Sequence, residues 1–217
     1  RAFAEGRLDD DEIRASVARL RALKRRSRAR HAAPEAWRDG DEGILATAAT
    51  RALVALGDVP HVSAGDRVVL VAARRTRQSA ATQATVSPAA GLAAALRGCG
   101  IDVVEVPYQP DEALAVRDEA LTHAASADLL LFASTARTVL HDDEVALARA
   151  LSVTARRSVD GPAFVHVALW NPYLVESVPG PALVTFGWRD VSVTAAAAAL
   201  VDDVQVTGRS PVDLRTA

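Results

Sequence analysis

The sequence predicts an α/β protein: a three-layer sandwich with a largely parallel, doubly wound sheet of five or six strands, helices on both faces, and an additional N-terminal helix. Three observations carry this. The apolar runs VVLVAA (68–73) and LLLFA (129–133) are continuous rather than alternating, as in strands covered on both faces. Such runs alternate with helical segments of about 10–16 residues, the rhythm of parallel strands joined by crossover helices. Half of the 217 residues are hydrophobic, which supports a sizeable core and argues against global disorder.

The elements follow in order. Leu8-Asp9-Asp10-Asp11-Glu12 reads as a helix start, because acidic side chains cap free amides and oppose the positive end of the dipole. Ile13, Val17, Leu20 and Leu23 then form one apolar stripe on a helix running to about residue 30. Its last turns carry Lys24, Arg25, Arg26, Arg28 and Arg30, the favourable sign for a C-terminus and best read as a solvated helix end. Residues 31–40, with Pro34 and Gly40, lack periodicity and read as a linker. From Asp41 the pattern gives a helix over 43–56, a strand over 67–73, a polar loop over 74–87 and a helix over 88–97. A strand at 101–106, a helix at 111–125, a strand at 128–133 and a helix at 142–157 follow. Strands at 163–169 and 182–186 flank an Asn-Pro segment. A tight turn at Gly187 leads to an alanine-rich helix over 191–201 and a last short extended segment at 207–212.

Specific letters concentrate near the C-terminus. Ala168-Leu169-Trp170-Asn171-Pro172-Tyr173, the alanine helix and Thr207-Gly208-Arg209-Ser210-Pro211-Val212 stand in the order found at the end of glycoside hydrolase family 3 proteins. There an (A/L)RNPYDL-like segment precedes an alanine-rich helix and a P-x-G-(R/K)-L-P-V tail. The opening EGRLDDDEIRASVARLRALK also resembles the final barrel helix of that family. The resemblance implies that residues 1–33 are the last helix of a preceding (β/α)8 barrel, 34–40 a linker, and 41–217 the family's second, C-terminal domain. That barrel, part of the same polypeptide, is the implied partner; carbohydrate is reached through the parent enzyme, and homodimerisation is left open.

Retaining glycosidases need two carboxyl groups roughly 5–5.5 Å apart. The resemblance places the nucleophilic Asp in the barrel. In the β-glucosidase branch a Glu just after a strand of the second domain is the acid/base. The best matching strand here, 128–133, is followed by Ser134-Thr135-Ala136, with no carboxylate. The N-acetylhexosaminidase branch draws a His/Asp dyad from the barrel, so the resemblance favours that branch and assigns no catalytic residue to this chain. Sugar contacts are expected at the carboxyl ends of the strands, where open α/β sheets gather ligands. The candidates are Arg74, Arg75, Ser134, Thr135, Asn171, Trp188 and Arg189, whose donors and ring faces suit hydroxyls and C–H surfaces.

Other motifs read as structural. His141-Asp142-Asp143-Glu144 is an acidic helix N-terminus rather than a metal site. His166, inside a strand, is a packed core histidine, and Cys99, between Gly98 and Gly100, is a structural thiol. The residues after the first long strand, Arg74-Arg75-Thr76-Arg77, contain no glycine, so no dinucleotide fingerprint is formed and no cofactor is expected. A net charge of -2 argues against nucleic acid as the main partner. No apolar run reaches the roughly 20 residues of a membrane span. The chain opens on Arg without a signal peptide and has no methionine, so it reads as part of something longer, and both cytoplasmic and secreted locations fit. One lysine among many arginines, with abundant alanine, suggests a high-GC bacterial source.

A competing reading is a small-ligand-binding or regulatory module on a flavodoxin-like or Rossmann-like sheet. The stripe at Ile13, Val17, Leu20 and Leu23 discriminates the two. It is exposed, or docked unnaturally, if it belongs against a barrel, and it has a native resting place on the domain if the chain is a binding module.

Overall fold

The computed structural model describes residues 9–30, 40–74, 87–157, 161–201 and 204–214. By its internal contacts the chain divides into two compact units, Arg1–Asp41 and Glu42–Ala217.

The first unit carries α1 (Asp10–Arg30). Asp9 caps it: its Oδ1 accepts from the Asp11 N–H at 2.8 Å, satisfying one of the donors a helix start leaves open. Ile13 is half-buried, while Val17, Leu20 and Leu23 are 39, 57 and 56% exposed.

The second unit is built on six strands: β1 (Val54–Leu56), β2 (Arg67–Ala73), β3 (Asp102–Tyr108), β4 (Leu129–Ser134), β5 (Ala163–Ala168) and β6 (Ala182–Val184). Their order across the sheet is β1-β6-β5-β4-β2-β3. Every pair is parallel except β1 with β6, where Val54 stands opposite Val184 and Leu56 opposite Ala182. The expected α/β sandwich with a largely parallel sheet is therefore observed. All six residues of β4 are buried, as are the last six of β2, so neither strand shows the alternation of a sheet with one wet face. β3, at an edge, mixes buried and exposed residues.

Two apolar layers cover the sheet. On one face Val68, Leu70, Leu131, Val165 and Leu183 pack with α3 (Pro88–Gly98) and α6 (Asp190–Leu200). On the other, Val69, Val71, Leu130, Phe132 and Phe164 pack with α4 (Arg117–Ala124), α5 (Asp142–Arg156) and a 3₁₀ segment at Pro110–Val116. The crossover through α3 moves outward from β2 to β3. Those through α4 and α5 move the other way, which puts them on the opposite face if all keep the usual right hand. The alanine tract of α6 is a packing surface: Ala195, Ala196, Ala197 and Ala199 are all buried, as expected of a helix apolar around its circumference. A Cβ on Gly91 of α3 would already lie 3.3 Å from Val193 Cγ2, so small residues on both helices set their approach. The far end of α6 is closed by residues 61–62: Val62 N donates to Leu200 O at 2.8 Å, and the His61 ring lies 3.1 Å from Ala199 O.

Three boundaries depart from the sequence pattern. The helix expected over 43–56 ends at Ala52 as α2 (Asp41–Ala52), and residues 54–56 join the sheet because β6 offers them an open edge. The helix expected over 111–125 breaks into the 3₁₀ segment and α4, with Glu112 in a non-helical conformation (φ −131°, ψ 23°). Residues 207–212 join no strand; Ser210 Oγ instead accepts from Val212 N and donates to Val212 O, making a local turn.

Candidate functional site

The carboxyl ends of the parallel strands form the edge where the expected contacts gather. Strand order reverses between β2 and β4, since β2 leads outward to β3 and the chain then returns to β4. At that crevice Arg74 is exposed just past β2, and its backbone N–H donates to Tyr108 O at 2.9 Å. Arg75 lies outside the described residues. Thr135 is half-buried after β4.

Ser134 is completely buried, and its Oγ lies 2.7 Å from His166 Nε2 on the neighbouring strand. His166 is also fully buried, tilted against the Phe132 ring, with no hydrogen-bond partner at Nδ1 among the described residues. Burial lowers its pKa to about 3, so the imidazole is neutral. A proton on Nε2, donated to Ser134, leaves only a lone pair at Nδ1, which is cheaper to bury than an unmet N–H. With Nδ1 unpartnered, no acidic group orients the ring, and the pair lacks the third member of a nucleophilic triad. The packed-histidine reading of His166 holds, and its partner Ser134 was not foreseen.

Glu144 is the buried carboxylate of this edge. Its Oε1 accepts from Tyr108 OH at 3.0 Å and its Oε2 from His141 N at 2.9 Å. His141 Nδ1 accepts from Asp143 N at 3.3 Å, so His141 and Glu144 form a reciprocal cap on α5. Desolvation first, and then the Glu144 charge and hydrogen bond, push the Tyr108 hydroxyl well above its usual pKa, so it stays a donor. The acidic cluster read as a helix start is that. Cys99 is exposed at the end of α3 and is not packed as a core thiol.

At the ends of β5 and β6 the chain takes two unusual turns. Trp170 and Phe186 are the described non-glycine residues with positive φ, at 96° and 53°. Asn171 pins the first turn: its Nδ2 donates to Thr138 O at 2.6 Å and Arg137 O at 3.3 Å, and its Oδ1 accepts from Tyr173 N at 3.1 Å. It thereby caps a 3₁₀ segment at Pro172–Ser177 and ties the loops after β4 and β5 together. The Asn171-Pro172 bond is trans. In the second turn Thr185 Oγ1 donates to Gly187 O, and a Cβ on Gly187 would sit 2.5 Å from Ser192 Oγ. These turns bring the Trp170 and Trp188 rings to 6.3 Å at a 50° tilt, with the Arg189 guanidinium 5.0 Å from the Trp188 centroid. Trp170 was not among the expected contacts; only its place beside Asn171 pointed to it. Among the described residues no cluster of three His, Cys, Asp or Glu could hold a metal.

The class that fold and edge define is a doubly wound α/β domain with an aromatic and arginine-lined carboxyl edge. No family model matches the chain, and no curated protein matches it. Solved structures do share its fold. One is a glycoside hydrolase family 3 β-N-acetylglucosaminidase from Paenibacillus sp. str. FPU-7 (TM-score 0.69, 20% identity, all of this chain against 42% of that one). Another is a fungal multi-domain family 3 β-N-acetylglucosaminidase (TM-score 0.64, 18% identity, 98% of this chain and 24% of that one). A third is the β-N-acetylglucosaminidase from Thermotoga maritima (TM-score 0.52, 15% identity, 90% and 38%). This chain thus spans less than half the length of each. The family resemblance read from the C-terminal motifs is met by a likeness of fold to the same family.

Proposed function

We propose that this chain is the C-terminal domain of a family 3 glycosidase acting on β-linked sugars, N-acetylhexosaminides foremost. It packs on a catalytic (β/α)8 barrel of the same polypeptide and does not catalyse alone. The observation that carries this is the match of the whole chain to under half of the Paenibacillus enzyme. Two features support it. No carboxylate stands in Thr135-Ala136-Arg137-Thr138 directly after β4, and the buried Glu144 is occupied by Tyr108 and the cap of α5.

The test is to assay this chain, and a longer polypeptide that adds an upstream barrel, on aryl β-N-acetylglucosaminide and aryl β-glucoside. Activity in the longer polypeptide alone is expected, with the acetamido sugar preferred. Hydrolysis by this chain alone would refute the accessory role. Silence in both would return the regulatory-module reading.

A further inference from the structure

We infer that Trp170, Trp188 and Arg189 form a pyranose-binding platform at the ends of β5 and β6, taking one ring of a β-linked oligosaccharide. The inference rests on the glycosidase reading for its ligand class, and on local geometry for its place.

Backbone conformation is the first ground. A bulky side chain at φ 96° is a true outlier, since a Cβ there crowds the following carbonyl. Such a residue persists only when its surroundings over-determine it. Here they do: Leu169 N donates to Ser134 O at 2.9 Å on one side, and Asn171 is bound to the loop after β4 on the other. A glycine would meet the turn without strain. Tryptophan in its place is only half-buried, so core packing does not account for it. What the turn achieves is the meeting of two indoles.

The chemistry of the patch is the second ground. The rings are inclined at 50° rather than stacked flat, so they do not cover each other's faces. Both indoles are half-buried, apolar and still reachable. The Arg189 guanidinium lies against Trp188 and makes no hydrogen bond or ion pair among the described residues. Its N–H donors are thus held on an aromatic surface and unused. A pyranose presents the complement: a C–H face for an indole and hydroxyl oxygens around its rim for the guanidinium. A flat aromatic ligand would use the rings but leave the donors unmet, and a bare anion would use the donors alone.

The test uses this chain as it is, titrated calorimetrically with cellobiose and with its bis-acetamido counterpart, chitobiose, at millimolar concentrations. Saturable binding of at least one disaccharide is expected. Trp188→Ala and Arg189→Ala should each weaken it about tenfold, the order expected for losing one aromatic or charge-assisted contact. Trp170→Gly supplies the residue type that the backbone favours while removing the indole. It should abolish measurable binding with the thermal midpoint kept within a few degrees; a purely structural Trp170 would instead lower the midpoint and leave binding intact. No binding of either disaccharide by the unaltered chain, or equal binding by all three folded variants, would overturn the platform. The glycosidase reading fails separately, by inactivity of the longer polypeptide, whatever the titration gives.

Discussion

At the scale of single residues, the carboxyl edge is governed by how buried polar groups are satisfied. Ser134 and His166 illustrate it, because both are completely buried and each is the other's side-chain partner. Ser134→Ala should cost about 1–3 kcal/mol, since it strands His166 Nε2 in the core. The depressed pKa of His166 has a pH consequence. An unfolded histidine binds a proton near 6.5 and the folded one near 3. The stabilisation is thus present above about 6.5 and lost as pH falls toward 3, with a slope of up to about 1.4 kcal/mol per pH unit. Urea titrations at pH 4, 5, 6 and 7 should show His166→Asn with a flatter pH dependence than the unaltered chain. Parallel curves would contradict the assignment. His166 was legible in the sequence as a core residue, whereas its partner depended on the β4–β5 register that sets Phe132 opposite His166.

At the scale of elements, glycine positions separate close approach from mere flexibility. Gly208 lies so near the end of α2 that a Cβ there would clash with Leu53 O and come within 3.0 Å of Arg51 O. Neither carbonyl can move without disturbing the entry to β1. Gly98, in the last turn of α3, has open space where its Cβ would be. The same substitution should therefore act with opposite sign. Gly208→Ala should destabilise by about 1–3 kcal/mol through overpacking. Gly98→Ala should stabilise by about 0.5–1 kcal/mol through lower chain entropy and better helix propensity. Thermal melts of the two variants check this. From the sequence, residues 207–212 are only a last short extended segment. The close approach that requires its glycine was not readable, because the partner carbonyls belong to α2 and its exit.

At the scale of the whole molecule, the apolar stripe on α1 is the surface that the proposed function assigns to the upstream barrel. Leu20→Glu with Leu23→Glu should hardly change the melting of this chain, since exposed positions usually contribute within about 0.5 kcal/mol each. In a polypeptide carrying an upstream barrel, the same pair should lower stability and activity together, as charges would be buried against the barrel. Equal tolerance in both settings would remove the stripe from the proposed interface.

The order and nature of the layers were determined by the sequence itself. Continuous apolar runs at β2 and β4, side-chain-capped helix starts at Asp9 and His141, and the alanine tract of α6 all report local burial or local hydrogen bonding. That information is carried by neighbours in the chain. The antiparallel edge at Val54–Leu56, the break at Glu112, the Ser134–His166 pair and the meeting of Trp170 with Trp188 were decided only by tertiary structure. Most of these join residues on different elements, and even the local break at Glu112 runs against its helical pattern. Their formation depends on strand register and on turns held by distant partners, which no local pattern encodes.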